Sequence, residues 1–223
     1  MKTALITGIS RGIGEALAKK FLEEGYRVFG TSLSGKSTIS DENFSVHQLD
    51  LASSESIKNC VEQIAKTGVK IDILINNAGV LLDEEETVVD LDKLRKTLEV
   101  NLIGTIDLTE QIIPLISEKG HVINLSSTAG SLGLADTSSH YPHHYPAYKI
   151  SKTALNMYTK TLAIRLKSKD IIVSSVHPGW VRTDMGGEEA DISPEESAQG
   201  IFNLAASRPA TGQFWFNGDR LPW

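Results

Sequence analysis

Thr7-Gly8-Ile9-Ser10-Arg11-Gly12-Ile13-Gly14 decides the fold. The apolar run Lys2–Thr7 leads into it, and a segment of helical period, Ile13–Glu24, leads out. Its glycines follow a G-x-x-x-G-x-G spacing, narrower in occurrence than the common G-x-G-x-x-G. Between a strand and a helix, small residues let backbone N–H groups approach a pyrophosphate at the helix N-terminus. A tight turn that only packs three glycines is the plainer alternative. A P-loop is excluded, because no Lys-Ser/Thr pair follows Gly14.

The same alternation continues along the chain. Further runs of strand length are Arg27–Thr31, Phe44–Gln48, Ile71–Asn76, His121–Ser126, Ile171–Val176 and Gln213–Phe216. Helix-period segments lie at Ser54–Thr67, Leu91–Ile103 running on towards Ile116, Tyr148–Lys167 and Pro194–Ala206. The last has Ser193 to cap it and Pro194 at its first position. Strands alternating with helices imply a parallel sheet covered on both faces. Nothing divides the chain, so the expectation is one doubly wound α/β domain over residues 1–223, with seven mostly parallel strands.

The 223 residues are 40% hydrophobic and 22% charged, enough for a full core. A net charge of -6 without a basic stretch argues against nucleic-acid binding. The single cysteine, Cys60, excludes an intramolecular disulfide framework or a thiolate metal cluster and reads as a packing residue. No apolar run approaches the ~20 residues of a membrane span, and Met1–Gly8 has no signal-peptide pattern. A cytoplasmic location is expected.

Tyr148 and Lys152 stand four residues apart, which on a helix stacks phenol and ammonium one turn apart on one face. At roughly 5 Å and an effective dielectric of about 20, the attraction to a phenolate is ~3 kcal/mol. That charge would turn a weak neutral-pH acid into a usable one.

Thr7–Gly14, Asn76-Asn77-Ala78-Gly79, Asn101, Ser126-Ser127 and Tyr148-x-x-x-Lys152 together resemble the short-chain dehydrogenase/reductase family, in its order and approximate spacing. Pro178-Gly179-Trp180-Val181-Arg182-Thr183 adds the family's Pro-Gly segment after a strand. The likeness spans essentially the whole chain and implies a Rossmann fold. Within the family, Pro178–Gly187 and the ending Asn217-Gly218-Asp219-Arg220-Leu221-Pro222-Trp223 are most similar to C-factor and sniffer-type carbonyl reductases.

The resemblance implies roles. Tyr148 would protonate a carbonyl oxygen as hydride arrives, Lys152 would assist it and bond the nicotinamide ribose, and Asn101 would hold a relaying water. Ser127 would bond the substrate oxygen, chosen over Ser126 because Thr128-Ala129-Gly130 follows it. Tyr145, with Lys149 four residues on, is a rival, but Ser151 before Lys152 matches the family and favours Tyr148. Gly8, Ser10, Arg11, Gly12, Ile13 and Gly14 would cradle the cofactor phosphates. Asp50, Leu51, Asn77, Ala78 and Gly79 would line the adenosine, with Asn76 tying strands together. Pro178, Gly179, Val181 and Thr183 would meet the nicotinamide.

No Asp or Glu follows the second strand before Asp41, so the carboxylate that selects NAD is missing. Arg11 and Lys36 supply positive charge, and Ser32 and Ser34 supply hydroxyls, for a 2′-phosphate. NADP(H) is favoured. Leu33 stands where many NADPH-preferring relatives carry arginine, which leaves NAD(H) open.

Ser127 and Tyr148 are farther apart than the family norm. Leu134–Pro146 therefore reads as an extended loop at the active-site mouth, with aromatics and prolines suited to an apolar carbonyl compound. His140, His143 and His144 lack carboxylate or thiolate partners, and no metal is expected. The short segment Met185–Ile192 suggests an open, tolerant pocket. The leading expectation is an NADPH-dependent carbonyl reductase acting on a small ketone or aldehyde, reversibly. The alternative is a nucleotide-binding signalling protein of C-factor type with little turnover. The resemblance also implies a homodimer or homotetramer; Leu155, Tyr158, Leu162 and Leu166 suit either that interface or the core, and the core is favoured.

Overall fold

The computed structural model describes residues 1–136 and 144–223. Strands β1 (Thr3–Ile6), β2 (Arg27–Ser32), β3 (Phe44–Gln48), β4 (Ile71–Asn76), β5 (Ile116–Leu125), β6 (Ile172–Val176), β7 (Gln213–Phe216) and β8 (Asp219–Leu221) form one sheet. Its order is β3-β2-β1-β4-β5-β6-β7-β8. All pairings are parallel up to β7, and β8 is antiparallel. The chain winds from β1 out to β3, then returns to place β4 on the other side of β1. That reversal opens a crevice beyond the carboxyl ends of β1 and β4.

Period-two alternation in the strands feeds two cores. Ala4, Ile6, Ile73 and Ile75 face α1 (Gly12–Glu23) and α6 (Pro194–Ser207), packing with Leu17, Phe21 and Ile201. Leu5, Leu74 and Val122 face the opposite layer: α2 (Ser54–Lys66), α4 (Thr105–Ile112) and α5 (Pro146–Leu166). Cys60 is buried there, and burial pushes its thiol up to about 11, as suits a packing residue. Leu155, Leu162 and Leu166 are also core residues. Ser193 and Glu196 close a reciprocal capping box on α6.

Two expectations are corrected. Among the described residues the sheet has eight strands, not seven. Asn217 (φ 47) and Gly218 (φ 89) are both left-handed, as a two-residue hairpin turn requires, and they fold Asp219–Leu221 back onto β7. The long helix from Leu91 is not continuous. α3 (Leu91–Leu98) passes into a π-helical turn at Glu99–Gly104, then α4, then a 3₁₀ turn at Ile113–Leu115 carrying Pro114. From Ile116 the backbone is already extended and pairs with Ile71.

No helix among the described residues is long and apolar enough to cross a membrane.

Candidate active site

The glycine turn is built as a cradle. Gly8 N–H and Ile9 N–H donate to Thr31 O at 3.0 and 2.9 Å, which folds the chain away from β1. Gly8 (φ 73) and Gly12 (φ 57) take left-handed conformations. A Cβ on Gly14 would lie 2.1 Å from Gly8 O and 2.5 Å from Asn77 Nδ2, so only glycine fits. Arg11, at the N-cap of α1, makes no side-chain cap. The first-turn N–H groups therefore point into the crevice without the usual side-chain acceptor, the arrangement that suits a dinucleotide pyrophosphate.

Asn77 holds this cradle from β4. Its amide donates to Thr7 O (2.7 Å) and Gly8 O (3.1 Å), while Asn77 N–H and Ala78 N–H donate to Thr7 Oγ1. Asn76 does tie strands together: its amide donates to Asn124 Oδ1 (2.8 Å) and Thr109 Oγ1 (2.9 Å). Asn124 in turn donates to Thr159 Oγ1 on α5 at 2.8 Å, so β4, β5, α4 and α5 share one buried polar network.

The Ser32 hydroxyl is buried and donates to Lys36 O at 2.8 Å, closing the 32–36 turn, and Ser34 Oγ accepts from Lys36 N. Lys36 is exposed beside it. Asp50 Oδ1 accepts from Ala52 N–H (2.9 Å), and α2 is capped by Ser53 instead. Leu51 is buried in the core, which leaves only its backbone to meet a nucleotide. Arg11 pairs with Asp184 at 2.8 Å, both largely exposed. Ser10 is exposed and Ile13 half-buried at the same turn.

The catalytic candidates converge beyond β4 and β5. Lys152 is 5% exposed, and its Nζ donates to Leu125 O at 2.8 Å. Nζ lies 5.5 Å from the centroid of the Tyr148 ring, as the four-residue spacing required. Burial lowers the Lys152 pKa from 10.5 to about 8. Asn101 sits in the π-helical turn, 1% exposed. Its Oδ1 accepts from Val80 N–H (2.8 Å) while its Nδ2 donates to Val80 O (2.9 Å) and Ser151 Oγ (3.2 Å). A Cβ on Gly79 would come within 3.2 Å of Asn101 Oδ1 and 3.7 Å of Lys152 Nζ, so both groups face that glycine. The π-turn fits the chain to this site. It also brings Gly104 so close to Leu51 that a Cβ would fall 1.9 Å from Leu51 O.

Ser127 and Tyr148 line one cavity of ≈ 400 Å³, together with Leu81, Pro178, Trp180 and Met185. Ser127 Oγ accepts from Ala129 N–H at 3.1 Å and caps a short 3₁₀ turn. Ser126 also borders the cavity, and its hydroxyl donates to Lys152 O at 3.4 Å. A groove of ≈ 420 Å³ along α2 contains none of these groups. Gly179 (φ 90) packs against Ile192, and Arg182 N–H and Ile192 N–H exchange bonds with Ile192 O and Trp180 O. These pin the Pro178–Thr183 segment, and Gly186 N–H and Gly187 N–H donate back to Thr183 O at 3.1 and 2.8 Å. The Thr183 methyl lies 3.1 Å from where a Gly12 Cβ would be, so this segment reaches the glycine turn.

Of the loop Leu134–Pro146, residues 137–143 lie outside the described residues, including His140 and His143. Tyr145 precedes α5 in a left-handed conformation and borders the cavity, so it does not share Tyr148's helical face. Among the described residues, no three His, Cys, Asp or Glu side chains come together as metal ligands would. Leu81, Glu84 and His177 also line the cavity and were missed from the sequence, since neither a loop without periodicity nor the residue after a strand marks itself.

Comparison with known proteins shows the family. The model of the short chain dehydrogenase family matches residues 2–193, and the chain belongs to that family. A 1-hydroxy-2-glutathionyl-2-methyl-3-butene dehydrogenase of Rhodococcus is 30% identical over 100% of both chains. A 3-oxoacyl-acyl-carrier-protein reductase of Aquifex aeolicus is 33% identical over 82% of this chain and 75% of its own. Among solved structures, the Sniffer carbonyl reductase of D. melanogaster superposes with TM-score 0.84, 28% identity and full coverage of both chains. An NADPH-bound carbonyl reductase from chicken fatty liver reaches TM-score 0.90 at 25% identity, covering 100% of this chain and 94% of that one. The protein is thus an NAD(P)-dependent short-chain oxidoreductase.

Proposed function

We propose that the protein is an NADPH-dependent reductase of small ketones or aldehydes, with reversible oxidation of the alcohol. The observation that carries this reading is the shared cavity of Ser127 and Tyr148, with the Lys152 ammonium 5.5 Å from the phenol ring. One domain, residues 1–223, provides both the cofactor cradle and the reacting groups.

The reduced nicotinamide, when bound, supplies hydride to the carbonyl carbon. The residues do the rest. Ser127 donates a hydrogen bond to the carbonyl oxygen and orients it. Tyr148 gives that oxygen its proton. Lys152 stabilises the phenolate that remains and, near pH 7, stays largely protonated even with its pKa lowered to about 8. Asn101 and Gly79 border the space through which a water can return a proton past Lys152.

Gly8, Ser10, Gly12, Ile13 and Gly14 hold the pyrophosphate; Asn77, Ala78, Gly79, Asp50 and the Leu51 backbone border the adenosine; Pro178, Gly179, Val181 and Thr183 border the nicotinamide. NADP(H) is preferred to NAD(H), because no carboxylate ends β2, while Lys36 is exposed there and Arg11 can exchange Asp184 for a phosphate. Several NADP- or NADPH-bound neighbours support that choice. Leu81, Trp180 and Met185 suit the apolar part of a substrate, while Glu84, Glu188 and Glu189 at the same cavity disfavour an anionic one.

Exposed Ile150, Met157 and Ile164 form one seven-residue-spaced stripe on α5 and support a homodimer or homotetramer. A cytoplasmic location accords with this chemistry. Rates with NADPH and NADH, measured side by side on a panel of apolar ketones and aldehydes, test the reading. NADPH turnover is expected. Tight NADPH binding without turnover on any compound would favour the signalling alternative.

A further inference from the structure

We infer that Asp83 is a positioning residue for Tyr148, clamping the first turn of α5 from a distant segment of chain. The inference rests on the reading of Tyr148 as proton donor.

α5 starts without a cap of its own. Tyr145 at the N-cap is left-handed (φ 62) and makes no side-chain cap, and Pro146, at the first helical position, has no N–H to offer. The next N–H, of Ala147, donates to Asp83 Oδ2 at 2.6 Å. Tyr148 follows directly. Asp83 is 0% exposed, and its Oδ1 is buried with no hydrogen-bond partner among the described residues. A half-satisfied buried carboxylate is costly, and the positive end of a 21-residue helix is the field that offsets it.

The segment carrying Asp83 is fastened on both sides. Val80 is held by the Asn101 amide, and Tyr145 N–H donates to Glu86 O at 3.2 Å. Glu86 also pairs with Lys93 on α3. Residues 80–86 thus link Gly79 on the cofactor side, Asn101, and the turn that aims Tyr148. Asp83 touches no reacting atom; it sets where the phenol points.

The test uses Asp83→Ala, Asp83→Leu and Asp83→Asn in the full chain. The first two remove the acceptor, and leucine refills the volume, so it answers even where the alanine variant does not fold. The asparagine keeps an acceptor for Ala147. For the alanine and leucine variants, kcat should fall about tenfold or more, with the dissociation constant for NADPH changed by less than about threefold. Amide exchange at Ala147 should accelerate about five- to tenfold, the weight of a lost cap. Asparagine should restore both. The clamp is overturned if exchange at Ala147 or kcat is unchanged in the leucine variant, if NADPH affinity falls in step with kcat, or if asparagine rescues neither. A wild-type protein with no carbonyl turnover would sink the functional reading alone; exchange at Ala147 would still decide whether Asp83 holds the turn.

Discussion

Replacing Lys152 with methionine should separate the cost of this site from its use. Lys152 is 5% exposed, and burial lowers its pKa from 10.5 to about 8. The difference, 10.5 − 8 = 2.5, corresponds to roughly 3 kcal/mol. The folded protein binds this proton more weakly than the unfolded chain, so the cost is full below pH 8 and shrinks as pH rises from 8 towards 10.5. Wild type should therefore gain stability with rising pH relative to Lys152→Met, which has no amine to titrate; making the same comparison in a Tyr148→Phe background removes the phenol that Lys152 acts on, and the remaining groups titrate alike and cancel. Between about pH 7 and 9.5 the relative gain should be about 2 kcal/mol. At pH 7 the variant also loses the bond to Leu125 O, worth roughly 1–3 kcal/mol, so its absolute stability should lie near that of wild type or slightly above it. Turnover should be lost. Urea unfolding of both cofactor-free proteins at the two pH values gives the answer. A stability difference that is flat with pH, or that moves against wild type as pH rises, would refute a buried lysine cation.

Gly14→Ala should force the turn open, since the new Cβ would sit 2.1 Å from Gly8 O; a stability loss of roughly 1–3 kcal/mol is expected, with NADPH binding too weak to measure by fluorescence titration. Ser127→Ala should lower kcat about a hundredfold, while Ser126→Ala, whose hydroxyl only reaches Lys152 O, should lower it by less than about tenfold; steady-state kinetics on one substrate compares them.

The legible parts of this molecule are those where one physical constraint fixes both sequence and shape. Gly14 has to be glycine because a neighbouring carbonyl leaves no room, so the cradle could be read before any fold was known. Tyr148 and Lys152 share a helix, so their spacing alone carried the 5.5 Å approach. The buried runs of β1, β4 and β6 announced a covered sheet. What failed was of two kinds. The helix from Leu91 looks continuous because its apolar period survives the π-turn; the break comes from Gly104 meeting Leu51 O and Asn101 meeting Val80, contacts between segments far apart in sequence. β8 was missed although Asn217-Gly218 is a recognised hairpin signal, because only three residues follow in the strand. In the site, the Ser32 hydroxyl, expected at a phosphate, donates to Lys36 O, a local turn bond that the sequence does not mark. Asp83 lies in a loop without periodicity, and only its bond to Ala147 reveals it.

In the proposed function, Tyr148 protonates a carbonyl oxygen while NADPH delivers hydride. Wild type and Tyr148→Phe should be compared for carbonyl-dependent loss of NADPH absorbance, with NADPH affinity measured on the same samples. Turnover is expected in wild type, with a fall of at least about a thousandfold in the variant and affinity nearly unchanged. A phenylalanine variant that reduces the same carbonyl at the wild-type rate would contradict it.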